Sequence, residues 1–397
     1  MSRLGYRSVL TLDFLYGALN RDLKLIFVSN LIGAFGDGLY VYLLPLYARK
    51  LGANPVEVGI MFSIVLLVAS LTPIPGGILA DKYDRKKIMI YGWLMWLPVP
   101  VIFSMAKNWI QLLPGAVLYG CWIGQPASTA YIATSAEKDK ITLTFAMISA
   151  SWAIGYIFSP ALGGYLSVII GMESVFLLVF IFYALCLGGL FLISSQYAKM
   201  STTQTSSSSV AFQRKKILVW SVYFAAITFF MFLMRPFVPQ FLKDLFDLSE
   251  FHIGVLGSVT FFGSALLGIL LGRIGDTWTK AGAVSVSMIL CSMSAVILVL
   301  SSDFFALILA CFLMGISYTT LSFIGAVVGV LAPEASRARW MSVPHTMSML
   351  AAFIAPYLGG LLYEVSPYNP FIVTIVATPL LSVLAFAKPL KEGTEKN

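Results

Sequence analysis

Two charged side chains lie inside long apolar runs, and they are where chemistry would start. Asp37 sits in a first run at about 25–47 and Arg235 in a seventh at about 217–241. A charge held at the depth of a bilayer costs about 2.5–3.5 kcal/mol on insertion scales, so such a residue usually faces a cavity, a partner or a solute path. Asp37 belongs to a stripe at helical spacing formed by Asn30, Gly33, Asp37, Tyr40 and Leu44. Gly33, Gly36 and Gly38 around it suit close approach by another helix or a ligand. Aligning the two runs by Pro45 and Pro239 puts Arg235 four residues, about 6 Å, farther along its helix than Asp37. That leaves a direct pair open, and equally a guanidinium that snorkels to the interface.

Other polar and aromatic residues could line a path. Tyr119, Trp122 and Gln125 share a face of the fourth run, Trp152 lies in the middle of the fifth, and Tyr318 is the counterpart of Tyr119 in the tenth. Aromatic packing between helices explains Trp122 and Trp152 as well as solute contact does. The chain has no nucleotide loop, HExxH, GxSxG or metal-ligand cluster. The reading is therefore not an enzyme, with no cofactor and no metal. The four cysteines fall in apolar runs without CxxC spacing and read as small buried hydrophobes.

The elements that must hold these residues are set by composition. Hydrophobic residues make up 59% of the 397 and charged ones 11%, against about a quarter charged in soluble domains. About twelve runs reach spanning length, so the fold class is an all-α membrane protein of twelve transmembrane helices. The expected spans are 25–47, 58–80, 88–106, 111–133, 142–167 and 174–194, then 217–241, 254–274, 281–301, 304–330, 341–363 and 370–388. The net charge of +8 comes from short loops, a topology pattern and not a nucleic-acid face. Of the 26 Lys and Arg, 21 fall on one side of this arrangement and 4 on the other, with Arg235 inside a span. Basic loops stay cytoplasmic, which predicts a multi-pass protein of the plasma membrane with both termini inside.

The chain also repeats itself. Gly59 precedes Asp81 by 22 residues, and Gly254 precedes Asp276 by the same 22. Gly77-x3-Asp81 is echoed by Gly272-x3-Asp276, and Pro160, Gly163 and Gly164 by Pro356, Gly359 and Gly360. Two parallel halves follow: 1–194 and 217–390, joined by a Ser/Thr-rich cytoplasmic linker at 195–216 and ended by a tail at 391–397.

Gly77-x3-Asp81-Lys82-x-Asp84-Arg85-Lys86-Lys87 resembles the loop 2–3 signature of the major facilitator superfamily of secondary transporters, with Asp84 where the pattern usually has glycine. Gly155-x3-Ser159-Pro160-x2-Gly163-Gly164 is similar to the fifth-helix signature of its proton-coupled drug exporters, with Ser159 for a glycine. The fourth-helix arginine of many such exporters has no counterpart here. The resemblance implies two six-helix bundles around a cavity that opens alternately to each side. It implies a small-molecule substrate exchanged for protons, with export of amphipathic, drug-like compounds as the leading subclass, by a functional monomer in a lipid bilayer. Uptake by symport or uniport of a metabolite, and a receptor-like protein without turnover, are the alternatives. It makes Gly77, Asp81, Arg85, Lys86, Gly272 and Asp276 a cytoplasmic gating motif. Asp81 would accept the free N–H groups of a neighbouring helix end. Gly155, Pro160, Gly163, Gly164, Pro356, Gly359 and Gly360 read as close-packing positions.

Overall fold

In lipid a chain must satisfy its own backbone hydrogen bonds, which long apolar runs do by forming helices. The computed structural model describes residues 19–137, 140–198, 211–319, 323, 324, 327 and 337–386, and among them there is no strand. The first half contains α1 (Arg21–Val41, extended by Leu44–Lys50), α2 (Pro55–Lys82), α3 (Arg85–Met105), α4 (Trp109–Tyr119, continued by Gln125–Ser135), α5 (Ile141–Ile170) and α6 (Met172–Phe191). The second contains α7 (Arg214–Phe246), α8 (Glu250–Thr277), α9 (Lys280–Leu300), α10 (Phe304–Tyr318), α11 (Arg337–Val365) and α12 (Asn369–Leu384). The Ser-rich part of the expected linker, most of the end of the tenth expected span and the tail lie outside the described residues.

Several helices run past the expected apolar limits because polar caps set their ends. Asn54 and Glu57 form a reciprocal capping box at the start of α2, with Pro55 in the first helical position. Ser249 caps α8 and Asp303 caps α10 in the same sense, each side chain accepting a first-turn N–H. Prolines, which lack an N–H, break the spans internally: before Pro73 in α2, at Leu97–Pro98 in α3 and in the 3₁₀ turn Arg235–Phe237 of α7. Two breaks repair each other. The gap at 120–124 in α4 frees the Trp122 N–H, which donates to Thr72 Oγ1 at the α2 break (2.9 Å), while the Cys121 carbonyl accepts from Trp96 Nε1 (3.0 Å).

The packing repeats between halves. α1 packs on α5 and α6 as α7 packs on α11 and α12, and across the halves α2 meets α11 while α5 meets α8. Those two seams are mirror images in detail. A side-chain carbon on Gly59 would strike the Pro356 carbonyl, and one on Gly254 would strike the Pro160 carbonyl. Gly360 lies against the Pro55 carbonyl and Gly164 against that of Glu250. Gly155 meets Ala34 of α1, Gly163 the Leu39 carbonyl, and Gly359 the Leu233 carbonyl. These glycines allow backbones to touch where a Cβ would hold them apart. Both seams lie at the end away from the basic loops. There Arg49 also reaches Asp244 (3.1 Å) and the Ala161 N–H donates to Ser258 Oγ (3.0 Å).

Candidate functional site

Between α1, α3, α4 and α5 lies a cavity of about 450 Å³, lined by Asn30, Trp93, Trp96, Tyr119, Trp122, Gln125, Trp152 and Tyr156 among others. Four tryptophans from three helices contribute to its wall. Trp93 stacks on Trp152 (6.4 Å between centroids) and meets Trp96 edge-on (5.4 Å), and Trp96 meets Trp122 edge-on (6.3 Å). Gly33 makes room for the Trp93 ring and Gly36 for Phe182. These aromatic faces favour a flat, apolar solute.

Asp37 is only 1% exposed and sits behind this wall. Its Oδ2 accepts hydrogen bonds from Tyr119 (3.0 Å) and from Tyr156, and its Oδ1 from Tyr183 (2.7 Å). Tyr40 completes the cage by sharing a hydrogen bond with Tyr183 (3.2 Å between oxygens). The carboxyl is thus held by phenols from α4, α5 and α6 and, among the described residues, by no cation. Tyr119 and Tyr156 belong at once to the cage and to the cavity wall. A carboxylate only accepts hydrogen bonds, whereas a carboxylic acid must also donate one. Taking up a proton therefore requires one of these phenols to turn from donor to acceptor or move away.

Arg235 does not pair with Asp37. Its guanidinium lies over the Tyr318 ring, 3.3 Å from the centroid, and 4.8 Å from that of Phe232. The 3₁₀ turn that begins at Arg235 ends the regular helix there, so a register counted along an ideal helix does not predict where the side chain points. Phe261 of α8 bridges the halves: it packs on Tyr156 (4.8 Å) and edge-on to Tyr318 (4.9 Å). A line of rings therefore joins the caged carboxyl of one half to the guanidinium of the other.

At the basic end, the capping expected of Asp81 is carried out by Asp84. Asp81 is exposed, and among the described residues no hydrogen bond or ion pair holds it. Asp84, 3% exposed, caps α3 by accepting from the Lys86 N–H (3.1 Å) and also accepts from the Gln196 N–H (3.0 Å). Arg85 is buried and donates to Gln196 Oε1 (2.7 Å), Thr134 Oγ1 (2.8 Å) and the Ala130 carbonyl (3.3 Å). Lys86 reaches the Phe191 carbonyl (2.8 Å). These bonds all stay within the first half and the start of the segment that follows it, and none reaches the second half. Asp276 is exposed, one turn from Lys280, and Gly272 has open space around it.

Of the sequence-predicted path residues, Asn30, Tyr119, Trp122, Gln125 and Trp152 share the cavity, Asp37 and Tyr40 lie in the cage behind it, and Arg235 and Tyr318 stack on each other in the other half. Sequence reasoning missed Trp93, Trp96, Tyr156, Tyr183 and Phe261. The i, i+3 spacing of Trp93 and Trp96, and the i, i+4 spacing of Trp152 and Tyr156, were available signals. Tyr183, set among leucines and phenylalanines, carried none.

Comparison with known proteins agrees with this architecture. The Major Facilitator Superfamily model matches residues 26–235 and 219–397. The "Multi-drug resistance efflux pump PmrA homolog" of Lactococcus lactis is 25% identical over 375 residues, 89% of this chain and 91% of that protein. The "Quinolone resistance protein NorA" of Staphylococcus aureus is 20% identical over 374 residues, 90% and 94% of the two chains. Among solved structures, a mutant of the nucleoside transporter NupG superposes with a TM-score of 0.79 at 15% identity, covering 93% of this chain and 99% of that one. A peptide transporter POT in complex with sulfate gives 0.77 at 15%, covering 94% and 95%. The chain belongs to the major facilitator superfamily: it is a multi-pass membrane transporter of small molecules and not an enzyme.

Proposed function

We propose that this transporter exports amphipathic, drug-like organic solutes across the cell membrane in exchange for protons, with Asp37 as the proton-binding residue. One observation carries the reading: two of the three phenols that hold Asp37, Tyr119 and Tyr156, are also part of the wall of the aromatic cavity. A solute that displaces Tyr119 or Tyr156 removes a hydrogen bond from the carboxylate, and a proton that binds the carboxyl displaces a phenol. The two occupants are thereby linked through the same side chains, which is what exchange requires. The names of the PmrA and NorA relatives support multidrug export as the direction and class.

In the same reading both termini are cytoplasmic, residues 1–194 and 217–390 move as two bundles, the 195–216 segment links them, and the monomer is the working unit. The seams at Gly59–Pro356 and Gly254–Pro160 close the outer side, while the exposed Asp81 and the open space at Gly272 leave the cytoplasmic gating motif disengaged. The test is flux in proteoliposomes holding the purified protein. An outward-directed exporter accumulates a fluorescent amphipathic dye against its gradient when a proton gradient is imposed, and loses that accumulation when the gradient is collapsed. Accumulation that persists after collapse would exclude exchange for protons. Binding without any counterflow would favour the receptor-like alternative.

A further inference from the structure

Among the described residues, no acid neutralises the guanidinium of Arg235. It is half-buried in α7, and among the described residues it makes no hydrogen bond and no ion pair; it lies over the faces of Tyr318 and Phe232. Its five N–H donors are thus available, and a guanidinium stacked by its plane on a ring keeps its N–H edges free for an acceptor. The location is central. Tyr318 meets Phe261, Phe261 meets Tyr156, and Tyr156 lines the tryptophan cavity.

The polar side chains that the cavity itself offers are neutral, among them those of Asn30, Gln125, Ser128, Thr129, Ser149 and the phenols. The acid nearest to it, Asp37, is sealed behind three phenol hydroxyls and presents its charge to the cage, not to the cavity. The cavity's own lining is thus aromatic and neutral, and the guanidinium lies beyond it in the other half, at the far end of the Tyr156–Phe261–Tyr318 line of rings.

We propose that Arg235 is an anion subsite, and that the solutes this protein takes include aromatic acids whose ring lies among the tryptophans while the carboxylate or sulfonate bridges to Arg235. This rests on reading the cavity as the solute site. A bidentate guanidinium–carboxylate contact, shielded from water by Phe232, Phe261 and Tyr318, supplies both affinity and orientation. It also ties the two halves together through the solute, since the ring is held by α3, α4 and α5 and the anion by α7.

The test compares three probes of one shape on the purified full-length protein by calorimetry: naphthalene carboxylate, its uncharged carboxamide, and naphthylmethylammonium. The wild type should bind the carboxylate about tenfold more tightly than the carboxamide, the ratio expected for one charge-assisted hydrogen-bonded contact, and the ammonium most weakly. Arg235→Gln should bring carboxylate and carboxamide to equal affinity while leaving the carboxamide value unchanged, which shows the variant still folded around the cavity. Arg235→Lys should keep part of the preference. Equal binding of carboxylate and carboxamide by the wild type, a preference for the ammonium, or a carboxylate preference that survives Arg235→Gln would each overturn the proposal. So would failure of the wild type to bind the carboxylate. These measurements involve no flux: a carboxylate preference with no counterflow would sink the transport mechanism alone, and the reverse result would sink the anion subsite alone.

Discussion

Gly254 offers the clearest way to perturb one conformation of the transporter without touching its cavity. A methyl group placed there would run into the Pro160 carbonyl and lie 3.1 Å from the Cα of Gly164, both backbone of α5 in the other half. Neither atom can swing aside as a side-chain end would, so the seam must open slightly. Overpacking of this kind costs about 1–3 kcal/mol. Alanine also favours the helix over glycine by about 1 kcal/mol, but that gain is present whether the seam is open or closed and cancels from the equilibrium between them. Gly254→Ala should therefore shift the balance away from the state closed at this end by a factor of about 5 to 150. Gly59→Ala should do the same through the Pro356 carbonyl. The assay is pulsed electron paramagnetic resonance between spin labels at Lys50 and Asp247, which flank the seam on either half with side chains 63% and 97% exposed. The distance distribution should gain a longer component in both variants. Gly188→Ala in α6, whose new carbon meets nothing within 4 Å, is the control and should leave this state as it is. Unchanged distributions in both Gly254→Ala and Gly59→Ala would refute the account of these seams.

Three further outcomes follow from the same contacts. Arg49→Ala breaks the ion pair to Asp244, but both side chains are about a third exposed, so screening limits the loss to about 0.2–1 kcal/mol; the same electron paramagnetic resonance distances should shift less than in the glycine variants, and the shift should vanish in high salt. Tyr183→Phe removes a donor from a buried carboxyl that keeps two others, and should cost roughly 1.5–3 kcal/mol, read as a lower melting temperature in detergent; an unchanged melting temperature would contradict the cage. Asp84→Ala loses the buried cap of α3, about 1 kcal/mol, and also the Gln196 contact, whereas Asp81→Asn alters an exposed group and should leave stability unchanged while slowing transport; equal stabilities would remove the distinction between the two aspartates.

The architecture was legible because its determinants are periodic. Run length, loop charge and the duplicated glycine and proline landmarks each report on the bilayer and the repeat. Asp37 was legible for a similar reason, since a lone carboxyl in an apolar run needs an explanation. Its cage was not, because Tyr119, Tyr156 and Tyr183 come from three helices whose rotations about their axes are set by packing. Arg235 shows a second limit: counting residues along an ideal helix left open both a pair with Asp37 and a side chain snorkelling to the interface, whereas the 3₁₀ turn at Arg235–Phe237 and the Tyr318 ring decide its direction. The Asp81–Asp84 exchange had a local signal. An aspartate directly before Arg85, where the helical run restarts, is a cap by position, and the loop signature drew attention to the other acid.

The central claim is that one carboxyl links proton and solute, and Asp37→Asn tests it most directly. Asparagine keeps the size of the side chain and can still accept hydrogen bonds, but it carries no charge and takes up no proton in the working range. In proteoliposomes with an imposed proton gradient, the variant should lose uphill dye transport while retaining downhill exchange across equal pH. Uphill transport at the wild-type rate in Asp37→Asn would contradict the account, and would place the coupling proton on another group.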